Sequence, residues 1–172
     1  MRQLLILRHA KSSHKDESLA DYDRPLARRG RRDSPRIGEW LAQQGLTPDY
    51  VVSSPAKRAR QTARKVCKGI GFDRKQINWD ERVFDADSKT LIKVLADVPE
   101  EAGTVLLVGH SLGLESLILY LSDWADIPDE SKLLPTAAVA WFKTEKKWNK
   151  LGKGAAQLVS ITRPRNLSGS DS

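Results

Sequence analysis

The stretch Leu4-Leu5-Ile6-Leu7-Arg8-His9-Ala10 decides the fold. Four consecutive aliphatic residues with no polar alternation suit a strand covered on both faces, the kind found in parallel sheets wrapped by helices. Tyr50-Val51-Val52 and Val105-Leu106-Leu107-Val108 read the same way. Two later runs, Ala137 to Phe142 and Gln157 to Thr162, read as edge or antiparallel strands, with Thr144 to Lys147 starting a turn between them. Helical spacing falls between the strands. Ile37, Trp40 and Leu41 form one apolar face, ended by Gly45, with Pro35 leaving the start of that helix open. Ala59, Ala63 and Val66 form a second face, introduced by Ser54 as N-cap and Pro55 as first helical residue. Leu91, Val94 and Leu95 mark a third helix. Leu114, Leu117, Ile118 and Leu121 mark a fourth, capped by Ser111. The alternation predicts an α/β three-layer sandwich with a mostly parallel central sheet. Residues 1–165 are read as one domain and the small, polar residues 166–172 as a flexible tail.

The bulk numbers agree with one soluble domain. A chain of 172 residues supports one sizeable core and is short for two. Lys and Arg total 29 against 22 Asp and Glu, a formal charge of +7 that favours anionic partners. One cysteine, Cys67, allows no intrachain disulfide and suits a reducing compartment, so the expected location is cytoplasmic. The apolar run at Leu4 to Leu7 is too short for a signal-peptide core or a membrane span. Asn166-Leu167-Ser168 fits a glycosylation sequon and is read as chance in a chain without a secretion signal.

Chemistry gathers where the strands end. Arg8-His9 follows the first, Ser53-Ser54-Pro55-Ala56-Lys57-Arg58 the second, and Gly109-His110-Ser111 the third. Parallel strands deliver their carboxyl ends to one edge, where open α/β sheets bind ligands. Two histidines and two arginines then share a crevice. A neutral imidazole attacks phosphorus and forms a phosphohistidine. Arginines fork onto phosphate oxygens and balance the developing charge, and a second histidine adds a hydrogen bond. Helices beginning at Ser54 and Ser111 add amide dipoles. His9, Arg8, Arg58 and His110 are the candidate catalytic residues. Ser111 and Ser12 join Arg8, Arg58 and His110 as candidate substrate ligands. The design calls for no metal and no cofactor.

These residues resemble a known family. Arg8-His9 is similar to the Arg-His-Gly motif of the histidine phosphatase superfamily, which includes the phosphoglycerate mutases. Ser54-Pro55-Ala56-Lys57-Arg58-Ala59-Arg60-Gln61-Thr62-Ala63 resembles its Ser-Pro-x-x-Arg-Ala-x-Gln-Thr segment, and Val108-Gly109-His110-Ser111 its second histidine motif. Asp23-Arg24-Pro25-Leu26 followed by Arg29-Gly30 is similar to the small bacterial phosphohistidine phosphatases. The resemblance spans about residues 3–162 and implies a phosphoglycerate-mutase-like fold. It implies His9 as nucleophile, with Arg8, Arg58 and His110 completing the phosphate pocket. Ala10 stands where the family has Gly, so the turn after His9 must accept a Cβ. The Asn that sugar-phosphate mutases carry after the first motif is missing from Lys11-Ser12-Ser13-His14-Lys15, which argues against mutase activity. Glu81 is the nearest match to the family's general acid, and Asp85 competes with it. A general acid is worth about 10²–10⁴-fold when the leaving group needs a proton. A phosphohistidine has a good nitrogen leaving group and tolerates a weak acid. The implied substrate is therefore phosphohistidine on a signalling protein, with small phosphomonoesters as the alternative.

Rival readings exist. Gly109-His110-Ser111-Leu112-Gly113 fits the Gly-x-Ser-x-Gly nucleophile elbow of serine hydrolases, but that triad places its His after the Ser, and here His9, His14 and His110 all precede Ser111. His9 and His14 are five apart, outside the i, i+4 pairing of a helical metal site. The basic segment 28–36, with Arg28, Arg29, Arg31, Arg32 and Arg36, suits nucleic acid on charge alone but lacks interleaved aromatics. A phosphoprotein docking surface explains that charge equally well. A non-catalytic phosphate-binding module is the remaining rival, and the four intact pocket residues count against it.

Overall fold

The computed structural model describes residues 1–130 and 132–167. Six strands form one sheet: β1 (Arg2–Arg8), β2 (Tyr50–Ser53), β3 (Asn78–Trp79), β4 (Thr104–Gly109), β5 (Val139–Thr144) and β6 (Gln157–Thr162). Four helices accompany them: α1 (Arg28–Gln43), α2 (Lys57–Ile70), α3 (Ser88–Ala96) and α4 (Ser111–Leu121). The strand order is β3-β2-β4-β1-β5-β6. β1, β2, β3 and β4 pair in parallel, while β5 and β6 run antiparallel on the far side.

The unbroken apolar strands divide their side chains between two cores. Leu4 and Ile6 of β1, with Val105 and Leu107 of β4 and Val52 of β2, face a core shared with Leu91, Val94 and Leu95 of α3 and Leu114, Leu117 and Ile118 of α4. Leu5 and Leu7, Leu106 and Val108, and Val51 face the other core, with Ile37 and Leu41 of α1 and Ala59, Ala63 and Val66 of α2. Each strand residue is buried on whichever face its pleat selects, so alternation never shows in the sequence. Burying one such Leu or Ile contributes about 1.5–3 kcal/mol. This gives the expected sandwich.

The topology also locates a crevice. Chain leaving β1 enters α1 on one face, and chain leaving the adjacent β4 enters α4 on the other. Neighbouring strands whose connections part to opposite faces open a cleft at their carboxyl ends.

Several local expectations are corrected. α2 begins at Lys57 with Ala56 as N-cap, not at Ser54-Pro55. The Ser54 hydroxyl instead accepts from the Ala56 amide at 3.2 Å, inside the turn that precedes the helix. Ser111 is the first residue of α4 and His110 its cap. β5 starts at Val139, since Ala137 adopts φ 60°, outside the extended region. β3 was not anticipated; both its residues are exposed and carry no apolar pattern. α1 opens seven residues before Pro35 and continues through it, ending at Gln43 just before Gly45 at φ 71°. Of the tail expected from residue 166, Asn166 closes a 3-10 turn and Leu167 packs on the second core. Residues 168–172, including Ser168 of the sequon, lie outside the described residues. Among those residues no helix is long and apolar enough to cross a membrane.

Candidate active site

His9 lies one residue beyond β1 and is 6% exposed. Its amide donates to the Gly109 carbonyl at 2.9 Å, which carries the β1–β4 pairing out to the imidazole. Nδ1 lies 2.7 Å from the Ala10 carbonyl oxygen. A carbonyl only accepts, so the neutral ring holds its proton on Nδ1 and keeps the Nε2 lone pair. The next residue is pinned in turn: the Ala10 amide donates to Thr62 Oγ1 at 3.0 Å, and the Thr62 hydroxyl donates to the Arg58 carbonyl at 2.7 Å. The Ala10 methyl group is fully buried in the α1/α2 core, so the position expected to tolerate a Cβ uses one for packing.

Arg58 sits in the first turn of α2 with its side chain 7% exposed. Its fork is engaged by one residue: Nη1 donates to the Asp21 carbonyl at 2.6 Å and Nη2 to Asp21 Oδ2 at 3.0 Å. Asp21 also accepts from Arg24, at 3.2 Å from Nε and 3.0 Å from Nη2. Arg8 donates from Nη1 to the Leu134 carbonyl at 3.2 Å. His110 turns Nε2 toward Ser54 Oγ at 2.9 Å, and its ring lies 5.2 Å from that of His9, tilted by 54°. Phe84 stands edge-on to His110 at 5.4 Å and Tyr22 edge-on to Phe84 at 5.1 Å, giving the crevice an aromatic wall. Arg8 Nε, Arg58 Nε and His110 Nδ1 are buried with no protein hydrogen-bond partner. A bound anion would satisfy such groups.

The electrostatics follow from burial. Loss of water lowers the pKa of His9 to about 3; the Ala10 carbonyl opposes this, and His110, Arg58 and Arg8 add to it. His110 falls to about 4, first through burial and then through Arg58, with Asp21 opposing. Both imidazoles are neutral at pH 7. Burial tends to raise the Asp21 carboxyl, but hydrogen bonding from Arg24 and the charge of Arg58 outweigh it and hold the group below the usual carboxylate range. Cys67 offers no rival nucleophile: it is buried in the core, which pushes its thiol up to about 12.

His9, Arg8, Arg58 and His110 thus come together, while the remaining candidates are placed less simply. Glu81 is exposed in the 3-10 turn Glu81–Val83, where the Tyr22 hydroxyl donates to it at 3.2 Å. Asp85 adopts φ 57° and lines a recess of about 150 Å³ with His110 and Ser111. Ser12 is buried and accepts from Arg24 Nη1 at 2.8 Å, so its hydroxyl is tied to the loop before α1. Gly113 lets α4 approach the loop carrying Asp85, since a Cβ there would sit 2.2 Å from the Ala86 carbonyl oxygen. The second glycine of the elbow-like motif therefore has a packing reason unrelated to serine catalysis. Asp21, Arg24, Ser54, Phe84 and Thr62 were not singled out from the sequence. Arg24 left a signal there as a member of the Asp23–Leu26 stretch, and Ser54 and Thr62 as members of the Ser54–Ala63 segment. Among the described residues no three His, Cys, Asp or Glu side chains cluster as a metal site.

Comparison with known proteins gives consistent neighbours. The family described as the histidine phosphatase superfamily (branch 1) matches residues 4–87. An uncharacterized protein of Mycobacterium tuberculosis is 34% identical over 164 residues, spanning 92% of this chain and 100% of the relative. A SixA phosphohistidine phosphatase candidate from Nakamurella multipartitia superposes with a TM-score of 0.80 at 27% identity, covering 95% of this chain and 96% of that one. A second SixA candidate, from Agrobacterium tumefaciens, gives 0.77 at 25% identity, covering 95% and 98%.

Proposed function

Because this chain belongs to the histidine phosphatase superfamily and has the phosphoglycerate-mutase-like fold of its small SixA-like members, we propose that it removes the phosphoryl group from phosphohistidine on a signalling protein, by way of a phosphorylated His9. The observation that carries this reading is the fixed tautomer of His9, held by the Ala10 carbonyl beside Arg8, Arg58 and His110. In the first step Nε2 of His9 bonds to phosphorus while the bond from phosphorus to the substrate imidazole breaks, and that imidazole takes up a proton from solvent water at the open loop side of the crevice. Arg8, Arg58 and His110 balance the charge on the phosphoryl oxygens. In the second step water attacks phosphorus, the bond to His9 breaks, and phosphate leaves with His9 neutral again. Neither step draws on a metal, so activity is expected to survive chelators. A reducing cytoplasm fits the single buried Cys67.

The direct test is a radiolabelled substrate and rapid acid-free quenching. An acid-labile label on His9, absent from His9→Ala together with turnover, is the expected result. Normal turnover by His9→Ala would overturn the reading. Hydrolysis of small phosphomonoesters is a second reading, favoured by Asp85, whose recess adjoins His110. A panel with phosphohistidine peptides beside alkyl phosphates separates the two.

A further inference from the structure

A groove of about 870 Å³ outside the phosphate pocket carries five arginines against one aspartate. Arg29, Arg32 and Arg36 come from α1, and Arg163 and Arg165 from the segment after β6. The groove borders the active edge through Pro135 and Thr136, which also line it. On one side of that loop the Leu134 carbonyl receives Arg8, and on the other the Ala137 amide donates to the Arg8 and His9 carbonyls at 3.1 and 3.2 Å. Arg29 Nη2 reaches Thr136 Oγ1 at 3.5 Å. The same short loop therefore walls both the phosphate crevice and the basic groove.

The arginines fall into two sets. Arg36 is held by Asp33 at 3.2 Å and by the Pro164 carbonyl at 3.1 Å, yet its Nε is buried without a protein partner. Arg163 pairs with Glu130. Arg29, Arg32 and Arg165 are exposed around them. Among the described residues, Arg32 alone of these three pairs with a carboxylate, Asp33 at 3.3 Å, and that carboxylate is shared with Arg36. A fixed floor with exposed forks above it suits extended carboxylate-bearing chains, which guanidinium groups grip in bidentate fashion. Among the described residues no aromatic side chain lines the groove to stack a base, which counts against nucleic acid.

We propose that this groove docks an acidic segment flanking the phosphohistidine of a protein substrate, so that affinity comes from the groove and chemistry from His9. The proposal rests on the phosphohistidine reading above. The test uses two phosphohistidine peptides, one with flanking Asp and Glu and one with Asn and Gln instead. The full-length protein should favour the acidic peptide at least tenfold in kcat/KM, mostly through KM, with the preference shrinking as salt rises. The pair Arg32→Glu/Arg165→Glu should abolish that preference and leave turnover of p-nitrophenyl phosphate within about twofold. The pair Lys75→Glu/Lys153→Glu, exposed elsewhere and equal in charge change, should keep it. No preference in the wild-type protein, or equal loss in both variants, would overturn the proposal. If neither peptide is hydrolysed while p-nitrophenyl phosphate is, the substrate reading has failed, and the groove is judged by binding of a fluorescent unphosphorylated acidic peptide. At least tenfold weaker binding in the groove variant alone supports docking, and unchanged binding rejects it. Binding of RNA that is lost in the groove variant, with peptide kinetics unaltered, also rejects it.

Discussion

The two sides of the crevice are built differently. On the β1 side, His9, Ala10, Thr62 and Arg58 form one buried chain of hydrogen bonds in which each group fixes the next. On the opposite side, the loop 80–87 holds Glu81 and Asp85 in the open, with Glu81 accepting from Tyr22 and Asp85 on a left-handed backbone. On the proposed mechanism, phosphate capture falls to the hydrogen-bonded wall and proton delivery to the exposed loop. A substrate whose leaving group needs little help with its proton uses the first wall and barely needs the second.

Four measurements break or sharpen that contrast. Arg58→Ala removes the guanidinium proposed to balance phosphoryl charge and leaves Asp21 with Arg24 as its remaining partner, so kcat should fall about 10²–10³-fold toward any phosphorylated substrate. Acid unfolding tests the buried wall. His9 and His110 have folded pKa values below the unfolded value of about 6.5, so the unfolded chain binds more protons and stability falls as pH drops through about 6.5 toward 3–4. His9 alone should cost about 3 kcal/mol between pH 7 and pH 4, and denaturant titrations of His9→Asn should show a flatter profile. The exposed loop is tested by Asp85→Asn and Glu81→Gln. Toward phosphohistidine each should stay within about threefold, while toward an alkyl phosphate the true acid should lose about 10²-fold. A large loss toward phosphohistidine would erase the contrast between the walls. Thr62→Val cuts two buried bonds at once and should cost about 1–3 kcal/mol in a denaturation curve, with a several-fold loss in kcat from a loosened His9.

The fold was legible because burial on both faces leaves a plain mark, as at Leu4 to Leu7 and Val105 to Val108. The pocket residues were legible because they follow those marks directly. What escaped was local competition. Ser54 looked like a helix cap because Ser before Pro commonly is one, yet its hydroxyl is taken by the Ala56 amide and His110. Asp21 lies in a polar loop with no periodicity, and only folding shows that it meets Arg58 across 37 positions of chain. β3 has two exposed residues, too few for any pattern. The acid could not be chosen from sequence because Glu81 and Asp85 differ only in where one loop turns.

The placement of β4 has a consequence in time. It pairs with β1 across about a hundred residues and wedges between β1 and β2, which never touch without it. Such distant pairing is slow to close. A nascent chain that has made His9 and Arg58 but not residues 104–110 has no strand to hold them side by side. Closing the sheet and assembling the pocket are one event, so a half-synthesised chain holds these side chains apart.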